Sequence, residues 1–137
     1  MPRTVLSVPR LAASVTKLRR LLDEQLSPFA VSQRCREDLA VLITEASTNA
    51  VRHGRGGDAF EVAIAVDHEQ CVLEIANRDG EFDESRLRAT LPNAWAEGGR
   101  GLPLIGALAD AVRVLRPRPG WVLIQIVKRF DRRTPAR

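Results

Sequence analysis

The sequence predicts an α+β fold: a two-layer sandwich in which helices cover one face of a mixed, mostly antiparallel sheet. Three observations predict it. Two early stretches repeat apolar residues at helical spacing, Leu11 to Leu22 and Cys35 to Ala50. Later stretches alternate apolar and polar residues, or run apolar, as strands do. Short polar turns separate neighbouring strands closely enough for hairpins. The element order reads β-α-α-β-β-loop-α-β-β.

Each element has its own reason. Thr4-Val5-Leu6-Ser7-Val8 is a short strand closed by Pro9. Leu11, Val15, Leu18 and Leu22 recur at intervals of four, three and four, the stripe of a helix that ends before Ser27-Pro28. A second helix starts near Ser32, with Cys35, Leu39, Leu42, Ala46 and Ala50 on one face. It stops at Gly54-Arg55-Gly56-Gly57, where glycine permits the left-handed turn of a C-cap. Phe60, Val62, Ile64 and Val66 then alternate with Glu61, Ala63 and Ala65 in a half-buried strand. The loop Asp67-His68-Glu69-Gln70 leads to a strand over Cys71 to Ala76. From Asn77 to Gly99 the periodicity fades into a long, partly helical loop, and such loops inside compact domains usually carry function. Gly101 opens a helix with Leu102, Ile105, Leu108, Ala109 and Val112 on one face. The turn Pro117-Arg118-Pro119-Gly120 precedes the last strand, Trp121 to Val127.

Size and composition bound the function. A chain of 137 residues suits one domain, residues 1–137, with 130–137 as a basic tail. Hydrophobic residues at 45% and charged residues at 28% fit a globular chain and exclude a disordered one. No apolar run approaches the roughly 20 residues of a membrane-spanning helix. The N-terminus lacks the apolar core of a secretory signal, so the expected location is cytoplasmic. Cys35 and Cys71 show no metal-ligand spacing and read as reduced core thiols, although the sequence alone also permits a disulfide. The net charge of +4 is uneven: residues 113–137 carry eight bases against the single acid Asp131, a local +7 that leaves −3 for the first 112 residues. No aromatic residues interleave with these charges as single-strand binders require, so a solvated basic end is expected and nucleic acid is not.

Three stretches carry chemistry. In Glu45-Ala46-Ser47-Thr48-Asn49-Ala50-Val51-Arg52-His53-Gly54, the residues Glu45, Asn49 and His53 recur every four positions, forming a polar ridge beside the apolar face. Such a ridge serves as the wet side of many helices. It also sets a carboxylate base one turn from an amide oxygen suited to Mg²⁺, a hard cation that prefers oxygen. In Gly98-Gly99-Arg100-Gly101-Leu102-Pro103, glycines precede a helix whose free N–H groups and dipole attract a phosphate. In Ile75-Ala76-Asn77-Arg78-Asp79-Gly80-Glu81-Phe82-Asp83, a strand runs into an acidic glycine turn. That stretch serves either as a plain Asp-Gly turn or as an acceptor for the exocyclic amine of adenine.

In this order, the E-x-x-x-N-x-x-x-H helix, the acidic turn and the G-x-G helix start resemble the GHKL (Bergerat) ATP-binding superfamily, whose fold is shared by gyrase, sensor histidine kinases and heat-shock chaperones. The Glu-Ala-x-x-Asn-Ala-x-x-His-Gly and Gly-Arg-Gly-Leu wordings look closest to the anti-sigma-factor serine/threonine kinases, over Val5 to Lys128. The resemblance implies ATP and Mg²⁺ as ligands, with Glu45 as the catalytic base toward a protein serine and Asn49 as the Mg²⁺ ligand. His53 would lie near the phosphates or cap its helix. Gly99, Arg100, Gly101 and Leu102 would follow the phosphates, with Glu84 to Gly98 as a lid. The implied partners are a sigma factor, an antagonist protein as phosphorylation substrate, and a second copy of the chain docking through the first strand and helix and the exposed sheet face.

The chain departs from the family wording in two places, the turn after the strand and the start of the last strand. Aligned on the strand, Asn77 stands where an aspartate is usual, with Asp79 and Glu81 at glycine positions. Aligned on Asp-Gly, Asp79 and Gly80 take those places and the strand shifts by two. The strand alignment fits the two-residue period and the Phe82-Asp83 pair better. Trp121 follows Gly120 where a threonine that supports the base acceptor is common. These departures keep open a second reading, a non-catalytic binding switch of the same fold with weak or no ATP binding.

Overall fold

The structure, a computed structural model, describes residues 2–53, 59–78 and 101–131. Their elements run β1 (Arg3–Pro9), α1 (Ala12–Leu26), α2 (Gln33–His53), β2 (Ala59–Val66), β3 (Gln70–Arg78), α3 (Gly101–Leu108), β4 (Ala111–Leu115) and β5 (Trp121–Arg129). The five strands form one sheet in the order β1-β2-β3-β5-β4, with every pairing among the described residues antiparallel. The α+β sandwich expected from the sequence is therefore present. No helix among the described residues is long and apolar enough to cross a membrane.

Strand alternation decides which face the helices cover. Val62, Ile75 and Ile124 lie opposite one another across three strands, as do Ile64, Leu73 and Ile126. Directly paired residues share a face. All six are buried, in one core with Leu18 and Leu22 of α1, Leu39, Leu42 and Ala46 of α2, and Leu102 and Ile105 of α3. The opposite face is covered by no helix among the described residues. Glu74 at its centre is held by Arg3 at 2.9 Å and by the Gln125 amide at 2.9 Å. At one end of that face the Arg118 guanidinium stacks on Trp121, 4.2 Å from the ring centroid, and reaches Glu61 at 3.7 Å.

Several boundaries differ from the sequence reading. α1 buries Ser14, Leu18, Leu22 and Leu26, whereas Leu11 is 60% exposed and Val15 only half-buried. The stripe is thus set one turn further along than the apolar spacing suggested. The expected face of α2 is buried in full, Cys35, Leu39, Leu42, Ala46 and Ala50, and Ile43 and Ser47 join it. Ser32 caps α2: its Oγ accepts the Cys35 N–H at 3.2 Å.

The last helix is shorter than expected. α3 ends at Leu108, so Ala109 and Val112 are not helical, and Val112 belongs to β4 opposite Ile126. The stripe from Leu102 to Val112 misled because a buried strand and a buried helical turn present the same apolar residues over so short a span. Gly120, at φ 78°, makes the β4–β5 turn in the left-handed region. The segment read as a tail begins with Phe130 packed against the core, its N–H donating to Glu69 O at 2.9 Å. Residues 132–137, the glycine run at 54–58 and the loop at 79–100 lie outside the described residues.

Both cysteines are free and buried, as expected of core thiols. Burial pushes the Cys71 thiol up to about 12, with Cys35 nearby adding to the rise, and burial also raises Cys35. Such thiols are poor nucleophiles and carry no chemistry here.

Candidate functional site

The candidate groups come from three elements, and the packing fixes how these align. At its start, α2 is anchored over the beginning of β3. The Cys35 thiol donates to Arg129 O at 3.6 Å, Lys128 binds Asp38 at 3.2 Å, and Lys128 is the strand partner of Cys71. α2 and β3 pack on each other, and both lead away from this common origin toward their C-terminal ends. Fourteen residues of helix, Cys35 to Asn49, advance about 21 Å. Six residues of strand, Cys71 to Asn77, advance about 20 Å. Asn49 and Asn77 are therefore level, at the same end of the sandwich.

The third element arrives from the opposite direction. Lys128 Nζ also donates to Leu108 O at 2.7 Å, so the last turn of α3 lies beside Asp38. α3 packs along α2. Its seven steps back from Leu108 to Gly101 cover about 10 Å, the length of α2 from Asp38 to about Glu45. The N-terminus of α3 thus lies level with the Glu45–Asn49 turn. Unpaired N–H groups and the positive end of the helix dipole collect there. Leu102 and Pro103 are buried against the core, and Pro103 sits in the first turn, where its missing N–H costs nothing.

The polar groups at this end are incompletely satisfied. Glu45 and Asn49 are half-buried, and neither makes a hydrogen bond or ion pair among the described residues. Asn77, half-buried at the end of the central strand, has its Oδ1 fully enclosed without a partner. Enclosed polar atoms in folded proteins are nearly always paired, so this acceptor is open to a donor from an ordered water or a ligand. By strand alternation Asn77 shares the helix-covered face with Cys71, Leu73 and Ile75. β3 runs on through Arg78, which puts Asn77 inside the strand and not in the loop that the sequence suggested.

Register also corrects the reading of Trp121. Trp121 pairs with Arg78, and Val122 pairs with Asn77. The residue beside the amide is therefore Val122, which has no hydroxyl to offer. Trp121 lies on the uncovered face beneath Arg118. Sequence reasoning missed Val122, although the phase of β5 contained it: Val122, Ile124 and Ile126 alternate with Trp121, Leu123 and Gln125.

Glu45, Asn49, Asn77, Gly101 and Leu102 are thus placed, and the three elements that carry them converge. The His53 side chain and residues Asp79, Gly80, Gly99 and Arg100 lie outside the described residues. Ser47, one turn from both Ile43 and Val51, was not singled out as a core residue, yet it is fully buried with its Oγ unpartnered. Among the described residues no cluster of three or more His, Cys, Asp or Glu side chains could hold a metal.

A half-open sandwich with a carboxylate and two amides at one end of its central helix and strand, beside a helix N-terminus, is suited to an anionic nucleotide. Residues 8–128 match the histidine kinase-like ATPase domain family, and the chain belongs to that family. Serine-protein kinase RsbW of Bacillus pumilus is 35% identical over 91 residues, covering 57% of this chain and 56% of that protein. Serine-protein kinase RsbW of Bacillus cereus is 32% identical over 98 residues, covering 64% and 61%. The chain thus spans less than two thirds of these relatives. Among solved structures, that of the RsbU and RsbW domains of a Mycobacterium tuberculosis protein superposes with a TM-score of 0.72 at 22% identity, covering all of this chain and 34% of that one. The SiaB–SiaC complex from Pseudomonas aeruginosa gives 0.65 at 16% identity, covering 93% and 89%. Both share the fold.

Proposed function

We infer that the chain, acting as a single domain, binds Mg-ATP at the Asn49–Asn77 end of the sandwich and is a protein serine/threonine kinase. Its substrate is an antagonist protein, and in its other state it sequesters a sigma factor. The observation that carries this reading is the level alignment of Glu45, Asn49 and Asn77, three half-buried groups without partners among the described residues, with the N-terminus of α3. The RsbW relatives, named as serine-protein kinases, support the activity, and the wording of the α2 motif supports the anti-sigma role.

The residues divide the work by chemistry. Asn77 Oδ1 accepts from the exocyclic amine of adenine, or Asp79 with Gly80 does so in the alternative register. Gly99, Arg100, Gly101 and Leu102 lie along the phosphates, where the N-terminus of α3 favours negative charge. Asn49 supplies an amide oxygen to Mg²⁺, which neutralises phosphate charge when bound. His53 is assigned either to the neighbourhood of the phosphates or to the cap of its helix. Glu45, which has no cation beside it among the described residues, takes the proton of the acceptor hydroxyl as that oxygen bonds to the γ-phosphorus and ADP leaves. Positioning and charge neutralisation account for most of such a transfer, so few catalytic side chains are required. A second copy of the chain is expected on the uncovered sheet face and β1, where Val5 is 61% exposed. The expected location is the cytoplasm.

The test is phosphate transfer from γ-labelled ATP to a candidate antagonist in the presence of Mg²⁺. Labelled protein is expected, with the signal lost when EDTA removes the metal. The neutral Asn77 acceptor and the apolar Val122 favour a second reading, the non-catalytic switch. Partner binding without any label transfer decides for it.

A further inference from the structure

The acceptor at the base end of the site is a carboxamide, and no described neighbour fixes which way round it sits. Across the strand pair Asn77 faces Val122, and the next pair on the same face is Ile75–Ile124, both buried. These neighbours offer only hydrocarbon. The enclosed Oδ1 has no donor among the described residues that would hold it. An amide has an oxygen acceptor at one end and an NH₂ donor of nearly the same shape at the other, so a half-turn about Cβ–Cγ exchanges them. No existing hydrogen bond to Oδ1 is lost in that turn. A carboxylate lacks the second state, since both its oxygens only accept.

We propose that Asn77, set against Val122, lets this site take 6-oxopurine nucleoside triphosphates as well as ATP. Oδ1 accepts from a 6-amino group, and Nδ2, after the half-turn, donates to a 6-oxo group. The inference rests on the nucleotide reading above and names the substrate class of the same site. It makes Asn77 the residue that sets base specificity, with Val122 leaving it free to turn.

Inosine triphosphate is the cleanest probe, because hypoxanthine differs from adenine only at C6 and in the proton on N1. Calorimetric titration of the full chain with Mg-ATP and with Mg-ITP should give dissociation constants within about tenfold of each other. Leaving a buried group unpaired typically costs roughly tenfold to a hundredfold in binding, more where the group is charged. Asn77→Asp is therefore expected to widen the preference for ATP to about a hundredfold or more. Wild-type ITP binding weaker than ATP binding by more than tenfold overturns the inference and leaves the nucleotide site standing. Failure of both nucleotides to bind overturns the inference and the site together. The wild-type ratio decides alone, so the test survives poor folding of Asn77→Asp. If that variant folds and keeps the wild-type ratio, Asn77 is not the reader.

Discussion

Glu45→Gln is expected to lower phosphate transfer by about a hundredfold or more, the range for removing a positioned general base. Mg-ATP affinity should stay within a few-fold of the parent. The substitution keeps the size and hydrogen-bonding reach of the side chain and removes only the capacity to take a proton. Glu45 is half-buried on α2, one turn before Asn49, and makes no ion pair among the described residues. A structural carboxylate in such a place would normally have a cation beside it. The measurement is steady-state transfer to the antagonist, with kcat separated from KM. A fall in kcat at unchanged nucleotide affinity supports the base role, and equal rates for parent and variant remove it.

Phe60→Ala is the substitution expected to cost the fold most. Phe60 is the largest fully buried side chain among the described residues, opposite Val8 on the helix-covered face, in the same core as Leu18 and Leu22 of α1. Removing a buried phenyl ring costs about 3–5 kcal/mol, because the transfer energy is lost and the cavity closes only in part. Domains of this size have roughly 5–15 kcal/mol in total. The melting temperature should fall by roughly 10–15 °C. A loss under about 3 °C by calorimetry would mean that β2 and α1 are not packed as described.

The fold was legible where period and burial agree. Every residue read into the apolar face of α2 is buried, with only Ile43 and Ser47 added, because twenty-one residues of helix give the 3.6-residue period several repeats. β2 and β3 were legible for the analogous reason at period two. α1 was placed correctly but rotated, since Leu11 and Val15 look like core residues and Ser14 does not. In that helix tertiary position outweighed hydropathy: Ser14 is buried and Leu11 points outward. β4 was counted in the element order but given no residues, because Val112 was read into α3 and fits both periods, and five residues are too few to separate them.

The candidate site divides along the same line. Glu45 and Asn49 were legible because both lie on one long helix whose phase is certain. Asn77 was identified by type, but its membership of β3 and its pairing with Val122 depend on register between distant strands, which no local pattern contains. Trp121 was read by its distance from Gly120, and a strand that changes face at every residue penalises a one-residue difference with the wrong side of the sheet. The alignment of the α3 N-terminus with Glu45 depends on Lys128, whose ammonium joins Asp38 and the Leu108 carbonyl. In the sequence that lysine was one charge in a basic end.

The central claim is that nucleotide binds at the end of the sandwich where Glu45, Asn49, Asn77 and the start of α3 lie level. Backbone amide shifts in a ¹⁵N-labelled sample titrated with Mg-ATP test it most directly. The largest changes should fall at Glu45 to Val51, at Ala76 to Arg78 and at the first turn of α3, with Cys35 to Asp38, Cys71 and Lys128 nearly still. Saturable shifts centred on Cys35, Cys71 and Lys128 instead, or none at millimolar nucleotide, would contradict it.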